Sequence, residues 1–434
     1  MSARHPFPIL LIAAALTTAP LGFGGWQQAA AQEAKKERPS KPKIRRSEVL
    51  GKAAFQLIEQ AQELMAEDKN DEAFVPLQKI LNGDRFKPYE KAVAMQTMGF
   101  VHAAKDDYGK TIESFQRAIA TGSLPPRVVS DLTYNLAQLN LAEQRPQQAK
   151  QLLAQWFAGL DKEPGPEPYA LQAQIHLLLD DLTGAEQAIR KAMQKAEAPK
   201  QNWTRILLSI LLQQERYGEA RPVLEDAVER WPGVKTFWQQ LAAVYYETDD
   251  EKLAFVAQQA MHVQGMLTGS KELTAMAQLY LYHNVPIKAA NVLQTGMADG
   301  TIEKTEKNYE TLAQAYMHAR EWQKAIAPLT RAAELSDKGK HYQQLAQAHV
   351  QDEQWGKAEA ALVQALDKGG LDKAADSWLL LGIARVRQDK YEAAIAAFRK
   401  AGDDDGLAAD AFRWIRSIER RLAAARDQTA SAAQ

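Results

Sequence analysis

The sequence has no cysteine among its 434 residues. That excludes disulfides and also a lipid anchor through an N-terminal thioether. An excess of charge of one sign is lacking too. Lys and Arg number 53 against 54 Asp and Glu, a formal net charge of -1, whereas general nucleic-acid binding needs a basic face. Long apolar runs are missing: the run from Ile9 to Leu16 falls far below the roughly 20 residues of a membrane span. Catalytic signatures are missing as well. There is no HExxH or comparable ligand pair, no nucleophile elbow, and no phosphate loop. His341 and His349 share one helical stretch but lie two turns apart, so packing or surface roles are expected for the histidines. Asp403, Asp404, Asp405 and Gly406 resemble the start of a calcium loop. The glycine comes too early, however, and no glutamate closes the loop; acidic residues favoured at a helix N-terminus account for the run. The chain therefore reads as a non-enzyme without metal or cofactor.

The first residues do not read as part of a fold. Arg4, the apolar run from Ile9 to Leu16, and Ala29-Ala30-Ala31 follow the basic, apolar, small-residue order of a secretory signal peptide. Residues 1–31 are expected to be that peptide, cut after Ala31. Pro20, Gly22, Gly24 and Gly25 argue against an uncleaved anchor. Residues 32–47 hold Lys35, Lys36, Arg38, Lys41, Lys43, Arg45 and Arg46, and a basic arm of this composition is expected to be disordered. Basic residues there ordinarily favour the cytoplasmic side, so the arm pulls against the export reading.

What the chain does have is a repeat. In the segment from Asn308 to Glu334, Tyr309, Leu312, Ala313 and Tyr316 form one apolar stripe at helical spacing. Trp322, Ala325, Leu329 and Ala332 form a second, and the link between them is only long enough to turn the chain. Two antiparallel helices result, and small Ala313 and Ala325 allow close approach. Equivalents of Ala313 are Ala61, Gly99, Ala137, Ala173, Leu208, Ala242, Ala277, Ala346 and Gly382, spaced 33 to 38 residues apart. Ten hairpins thus fill residues 48–401, since one hairpin cannot bury both its faces alone. Pro146 and Pro286 open second helices, where a missing N–H is harmless. Pro76, Pro222 and Pro328 fall inside second helices and are expected to bend them. The second helix of repeat six, around Ala254 to Met261, fits the spacing poorly. Residues 402–426, with Phe412, Trp414, Ile415 and Ile418, read as a capping helix, and 427–434 as a loose tail.

These stripes resemble the tetratricopeptide repeat. The copy with Trp378, Leu381, Gly382, Tyr391, Ala394, Phe398 and Ala401 is closest, departing where Arg385 takes the usual tyrosine slot. The resemblance implies an all-α, right-handed α-solenoid. It also implies that the residue after each marker looks into a concave groove. Gln138, Gln174, Gln278, Gln314 and Gln347 hold that place, and such amides could pair with the backbone of an extended partner segment. Glutamine is equally a soluble, helix-compatible filler, and both readings stay open. Tyr134, Tyr246, Tyr282 and Met317 fall on or near the same face as candidate apolar anchors.

Several stretches, including LAQLNLAEQ, NWTRILLSILL and the segment from Lys271 to Leu371, are similar to periplasmic tetratricopeptide proteins that accompany TonB, ExbB and ExbD. That resemblance implies a periplasmic scaffold with protein partners, possible ones being TonB, ExbB or ExbD-type components, with no stable membrane span after cleavage. An envelope-assembly adaptor for polysaccharide or outer-membrane protein export is the alternative. A murein-modifying enzyme is a third reading, against which stands the lack of a catalytic domain after Ala401.

Overall fold

The computed structural model describes residues 49–432, with side chains to residue 424. The expected signal peptide and basic arm, residues 1–47, lie outside the described residues. The chain divides between Trp231 and Pro232 into two compact units. The first contains α1 (Lys52–Ala66), α2 (Asn70–Asn82), α3 (Pro88–Ala104), α4 (Tyr108–Ala120), α5 (Pro126–Ala142), α6 (Pro146–Ala158), α7 (Glu167–Leu178), α8 (Leu182–Lys195), α9 (Gln201–Gln213) and α10 (Tyr217–Arg230). The second contains α11 (Lys235–Glu247), α12 (Glu251–Val263), α13 (Ser270–Tyr282), α14 (Pro286–Ala298), α15 (Glu306–His318), α16 (Trp322–Leu335), α17 (Lys340–Gln351), α18 (Trp355–Lys368), α19 (Ala374–Val386), α20 (Tyr391–Ala401) and α21 (Ala408–Ala432). The fold is an all-α solenoid in which each odd-numbered helix up to α19 pairs with the even-numbered helix that follows.

Local chemistry explains the regularity. Every second helix begins nine positions after its marker, as with Ala61 and Asn70, Ala313 and Trp322, or Gly382 and Tyr391. Between them each hairpin turns on one left-handed residue. Asp68, Asp106, Gln144, Asp180, Glu215, Asp249, Asn284, Arg320, Glu353 and Asp389 have φ between 55° and 59°. Such a residue lets the next N–H reach back across the turn and satisfy a carbonyl that the helix end would otherwise leave bare. Lys69 N donates to Leu64 O at 2.8 Å, Arg145 N to Asn140 O at 2.7 Å and Glu321 N to Tyr316 O at 2.9 Å.

The helix pairs are locked by one exchange of volume. All ten markers are buried. Sixteen positions later stands the side chain that fills the space: Leu77 after Ala61, Phe115 after Gly99, Leu293 after Ala277 and Phe398 after Gly382, all buried. Burying one such side chain stabilises by roughly 1.5–3 kcal/mol. Repeat six is the exception, since Gln258 stands sixteen after Ala242 while Ala257 and Met261 are buried. That is the source of its poor fit to the spacing.

Pro146 and Pro286 are the first residues of α6 and α14. Pro76, Pro222 and Pro328 lie inside α2, α10 and α16, each of which continues past its proline as one helix. The last helix, α21, runs on to Ala432, past Asp427, where a loose tail is expected from the sequence. No glycine or proline interrupts 408–432 and alanine is frequent there, so nothing local stops the helix.

Candidate partner-binding face

Neighbouring hairpins meet mainly through a second helix and the first helix that follows, as α16 does with α17. First helices also touch one another, α1 with α3 and α7 with α9 in the first unit and α13 with α15 in the second. No two second helices approach as closely. First helices therefore lie on the inner side of each stack, and the residue one step past each marker, turned by about 100°, flanks the buried stripe on that side.

The second unit brings three of the candidate amides into one register, Gln278 on α13, Gln314 on α15 and Gln347 on α17. Gln278 and Gln347 are exposed, whereas Gln314 is half-buried. Gln314 Nε2 donates to Glu310 Oε1 at 3.3 Å, and the same oxygen accepts from Lys340 Nζ at 2.7 Å. The middle amide is thus already held by its own helix. Met317, one turn further along α15, packs partly against the core. Tyr246 on α11 and Tyr282 on α13 stand 40% and 73% exposed. Partial burial, then Glu251 and then Tyr282, raise the Tyr246 hydroxyl above its ordinary pKa.

In the first unit, Tyr134 and Gln138 lie on α5 and Gln174 on α7, all half-buried. The Tyr134 ring packs on Trp156 of α6, centroids 4.7 Å apart. Burial, reinforced by the charge of Glu167, pushes its hydroxyl up to about 12. Gln138 Oε1 is buried without a hydrogen-bond partner. Tyr134 is thus committed to intramolecular packing, unlike Tyr282. Gln62 belongs to the same row, although the sequence reading does not include it. It is exposed on α1 directly after Ala61, and its Ala-Gln pair was the available signal.

The histidines have structural surroundings. His176 Nδ1 lies 2.7 Å from Asp181, whose other oxygen accepts from Gly184 N and so caps α8. His341 Nε2 lies 2.9 Å from Glu306, and the His102 ring packs on Phe74. His349 is buried, and burial lowers its pKa. Asp404 Oδ1 accepts from Gly406 N at 2.9 Å, a turn that leads into α21. Among the described residues no cluster of three metal-capable side chains occurs, and no helix is long and apolar enough to cross a membrane.

Arg385, in the tyrosine slot, has a visible purpose. Where tyrosine is present, as at Tyr316, its hydroxyl donates to Gln294 Oε1 of the preceding second helix at 2.8 Å. Arg385 Nε donates instead to Glu359 Oε1 of α18 at 2.8 Å, and another of its nitrogens to Ala393 O at 3.0 Å. Lys390 Nζ and Gln388 Nε2 close on the other Glu359 oxygen at 2.6 and 3.1 Å. Burial pushes Glu359 up, but the bonds from Lys390 and Arg385 outweigh it and its pKa ends lowered. The slot joins repeats in both forms.

The family model described as tetratricopeptide repeat matches residues 207–263 and 344–409. These two segments are tetratricopeptide repeats. The helical arrays to which it is similar include a tetratricopeptide repeat protein from Parabacteroides merdae. The identity is 16%, with 58% of this chain and 98% of that one covered and a TM-score of 0.29. YrrB, described as a TPR protein with an unusual peptide-binding site, is 15% identical over 44% of this chain and 97% of its own, with a TM-score of 0.34. The Cut9–Hcn1 hetero-tetramer of the APC/C is 13% identical over 84% of this chain and 83% of its own, at a TM-score of 0.28. No curated protein matches this chain.

Proposed function

We propose that this tetratricopeptide protein–protein interaction scaffold captures an extended segment of its partner on the first-helix face of the second unit. One observation carries the reading: Gln278 and Gln347 stand exposed in equivalent positions on α13 and α17. Each amide can donate to and accept from a peptide backbone. Tyr282, largely exposed on α13, adds an apolar anchor of the kind that dominates interface energies. The reading extends to place and system. The tripartite pattern of residues 1–31 supports export to the periplasm. The resemblance of the stretch from Lys271 to Leu371 to the companions of TonB, ExbB and ExbD supports service as an accessory to such an energy-transduction system.

The test is a photo-crosslinker placed in intact cells at position 278 or 347, with convex-side Arg331 as control and mass spectrometry of the captured protein. A shared partner from both groove positions, lost on Tyr282→Ala and absent at 331, supports the reading. Capture from 331 alone overturns the groove. Capture of polysaccharide-export or outer-membrane assembly components overturns the energy-transduction system and leaves the groove standing.

A further inference from the structure

The last helix carries a surface that the groove does not use. One face of α21 packs on repeat ten through Ala411, Trp414, Ile415, Ile418 and Leu422. The Trp414 ring lies parallel to Phe398, centroids 5.6 Å apart. At about 100° per residue, the opposite face is made of Ala409, Arg413, Arg416, Arg420, Ala423 and Ala424. All six are exposed. Three arginines thus stand in a row spaced by three and four residues, about 10 Å from first to last, with Ala409 before the row and Ala423 and Ala424 after it.

The row is incompletely neutralised. Arg413 pairs with Asp410 one turn back. Arg416 lies over the Phe412 ring, 5.5 Å from its centroid, and Phe412 is 59% exposed. Arg420 Nε donates only to the Arg416 carbonyl. Neither Arg416 nor Arg420 meets a carboxylate among the described residues. Arg421 is separate, placed over Tyr391 and 3.9 Å from Asp389. Glu419 sits at the edge of the row and is exposed.

We propose that Arg413, Arg416 and Arg420 form a docking surface for an acidic segment of a partner protein that presents carboxylates at helical spacing. Guanidinium forks match carboxylates in both charge and shape, and the small alanines at either end of the row leave room for a partner backbone. A lipid surface fits less well, because the apolar face of α21 is already buried on repeat ten and only Phe412 remains for insertion. A second copy of this helix fits poorly too, since antiparallel pairing centred on the row sets Arg413 against Arg420 and Arg416 beside its own copy, like charge against like. The surface stands independently of the glutamine row.

The full chain serves for the test, with a helical peptide bearing glutamates at i, i+3 and i+7 as probe. Fluorescence anisotropy is read at low and high salt. Arg416→Glu/Arg420→Glu should weaken binding at least about tenfold, with circular dichroism unchanged because both side chains are exposed. The same variant should gain affinity for a peptide with lysines at those places. Arg416→Gln/Arg420→Gln gives a milder loss and serves should the charge reversal unfold the helix. Equal binding by wild type and variants overturns the proposal. So does equal binding of a scrambled peptide of the same charge, or binding to phosphatidylglycerol vesicles without binding to the peptide.

Discussion

The ring of Phe398 lies so close to Gly382 that a Cβ on the glycine would meet it at 2.5 Å. Gly99 and Phe115 repeat the relationship at 2.4 Å. Where the second helix offers leucine, as Leu329 does to Ala313, the marker is alanine, except at Leu208, which faces Leu224. Between the glycine–phenylalanine and alanine–leucine pairs, volume lost at the marker is regained by its partner.

Gly382→Ala should therefore destabilise repeat ten although alanine is the better helix former by about 1 kcal/mol. Phe398 is fully buried and backed by Trp414, so its ring has nowhere to move. Overpacking costs about 1–3 kcal/mol. Urea denaturation of Gly382→Ala, Phe398→Leu and the double variant checks this, with the double variant expected to recover part of the loss because it recreates the alanine–leucine pairing. An additive double variant contradicts the volume argument.

Arg385→Tyr restores the usual tyrosine but should destabilise. Glu359, only 16% exposed, loses one of its cationic partners while Lys390 and Gln388 stay. About 1.5–3 kcal/mol is expected, as for a hydrogen bond to a charged group. Arg385→Tyr combined with Glu359→Gln should recover part of it in thermal melts.

Much of this architecture is legible in the sequence. The ten markers, the second helices and the proline starts follow from apolar spacing, because burial and helix period act within one hairpin. The turns are less legible. Aspartate or asparagine at 68, 106, 180, 249, 284 and 389 announces a left-handed residue, but Gln144, Glu215, Arg320 and Glu353 do not. Main-chain bonds close these turns, and main-chain bonds leave no mark on side-chain choice. The register of the glutamine row is equally plain, whereas its exposure is not. Whether Gln314 is free depends on Lys340 from the next repeat steadying Glu310, and whether Tyr134 is open depends on Trp156. Those neighbours are set by how hairpins stack.

Glu353→Gly should stabilise by about 0.5–1 kcal/mol. Glu353 sits at φ 55°, a conformation that strains a residue with a Cβ by roughly 1–2 kcal/mol, and glycine removes the strain at some cost in unfolded-state entropy. A raised melting temperature is the expected reading; a lowered one shows that the turn depends on its side chain.

Acid should loosen the connection between α6 and α7. Glu163 there receives hydrogen bonds from Lys191, Lys195 and Tyr169, in that order of weight, which hold its pKa down to about 2. The folded state therefore binds this proton less readily than the unfolded chain. Its contribution is fully present above the unfolded value near 4.5 and is lost as pH falls through about 2. Since the carboxylate is exposed, salt should screen the effect. Hydrogen exchange in residues 159–166, corrected for intrinsic rate, should rise across that window in the wild type. In Glu163→Gln it should be high and flat throughout. A pH profile shared by both proteins contradicts the assignment.

The constant interval of nine positions from marker to second helix has an evolutionary consequence. All the variation in repeat length must fall between one hairpin and the next, as in the stretch from Gly159 to Pro166 or the close passage of Gly339 against Ala365. An inserted residue inside a hairpin would put the volume-filling side chain on the wrong face. The same insertion between hairpins changes only the angle at which one leans on its neighbour. Natural drift in the length of these seams can therefore reshape the inner surface of the stack gradually, hairpin by hairpin, without the fold ever being at stake.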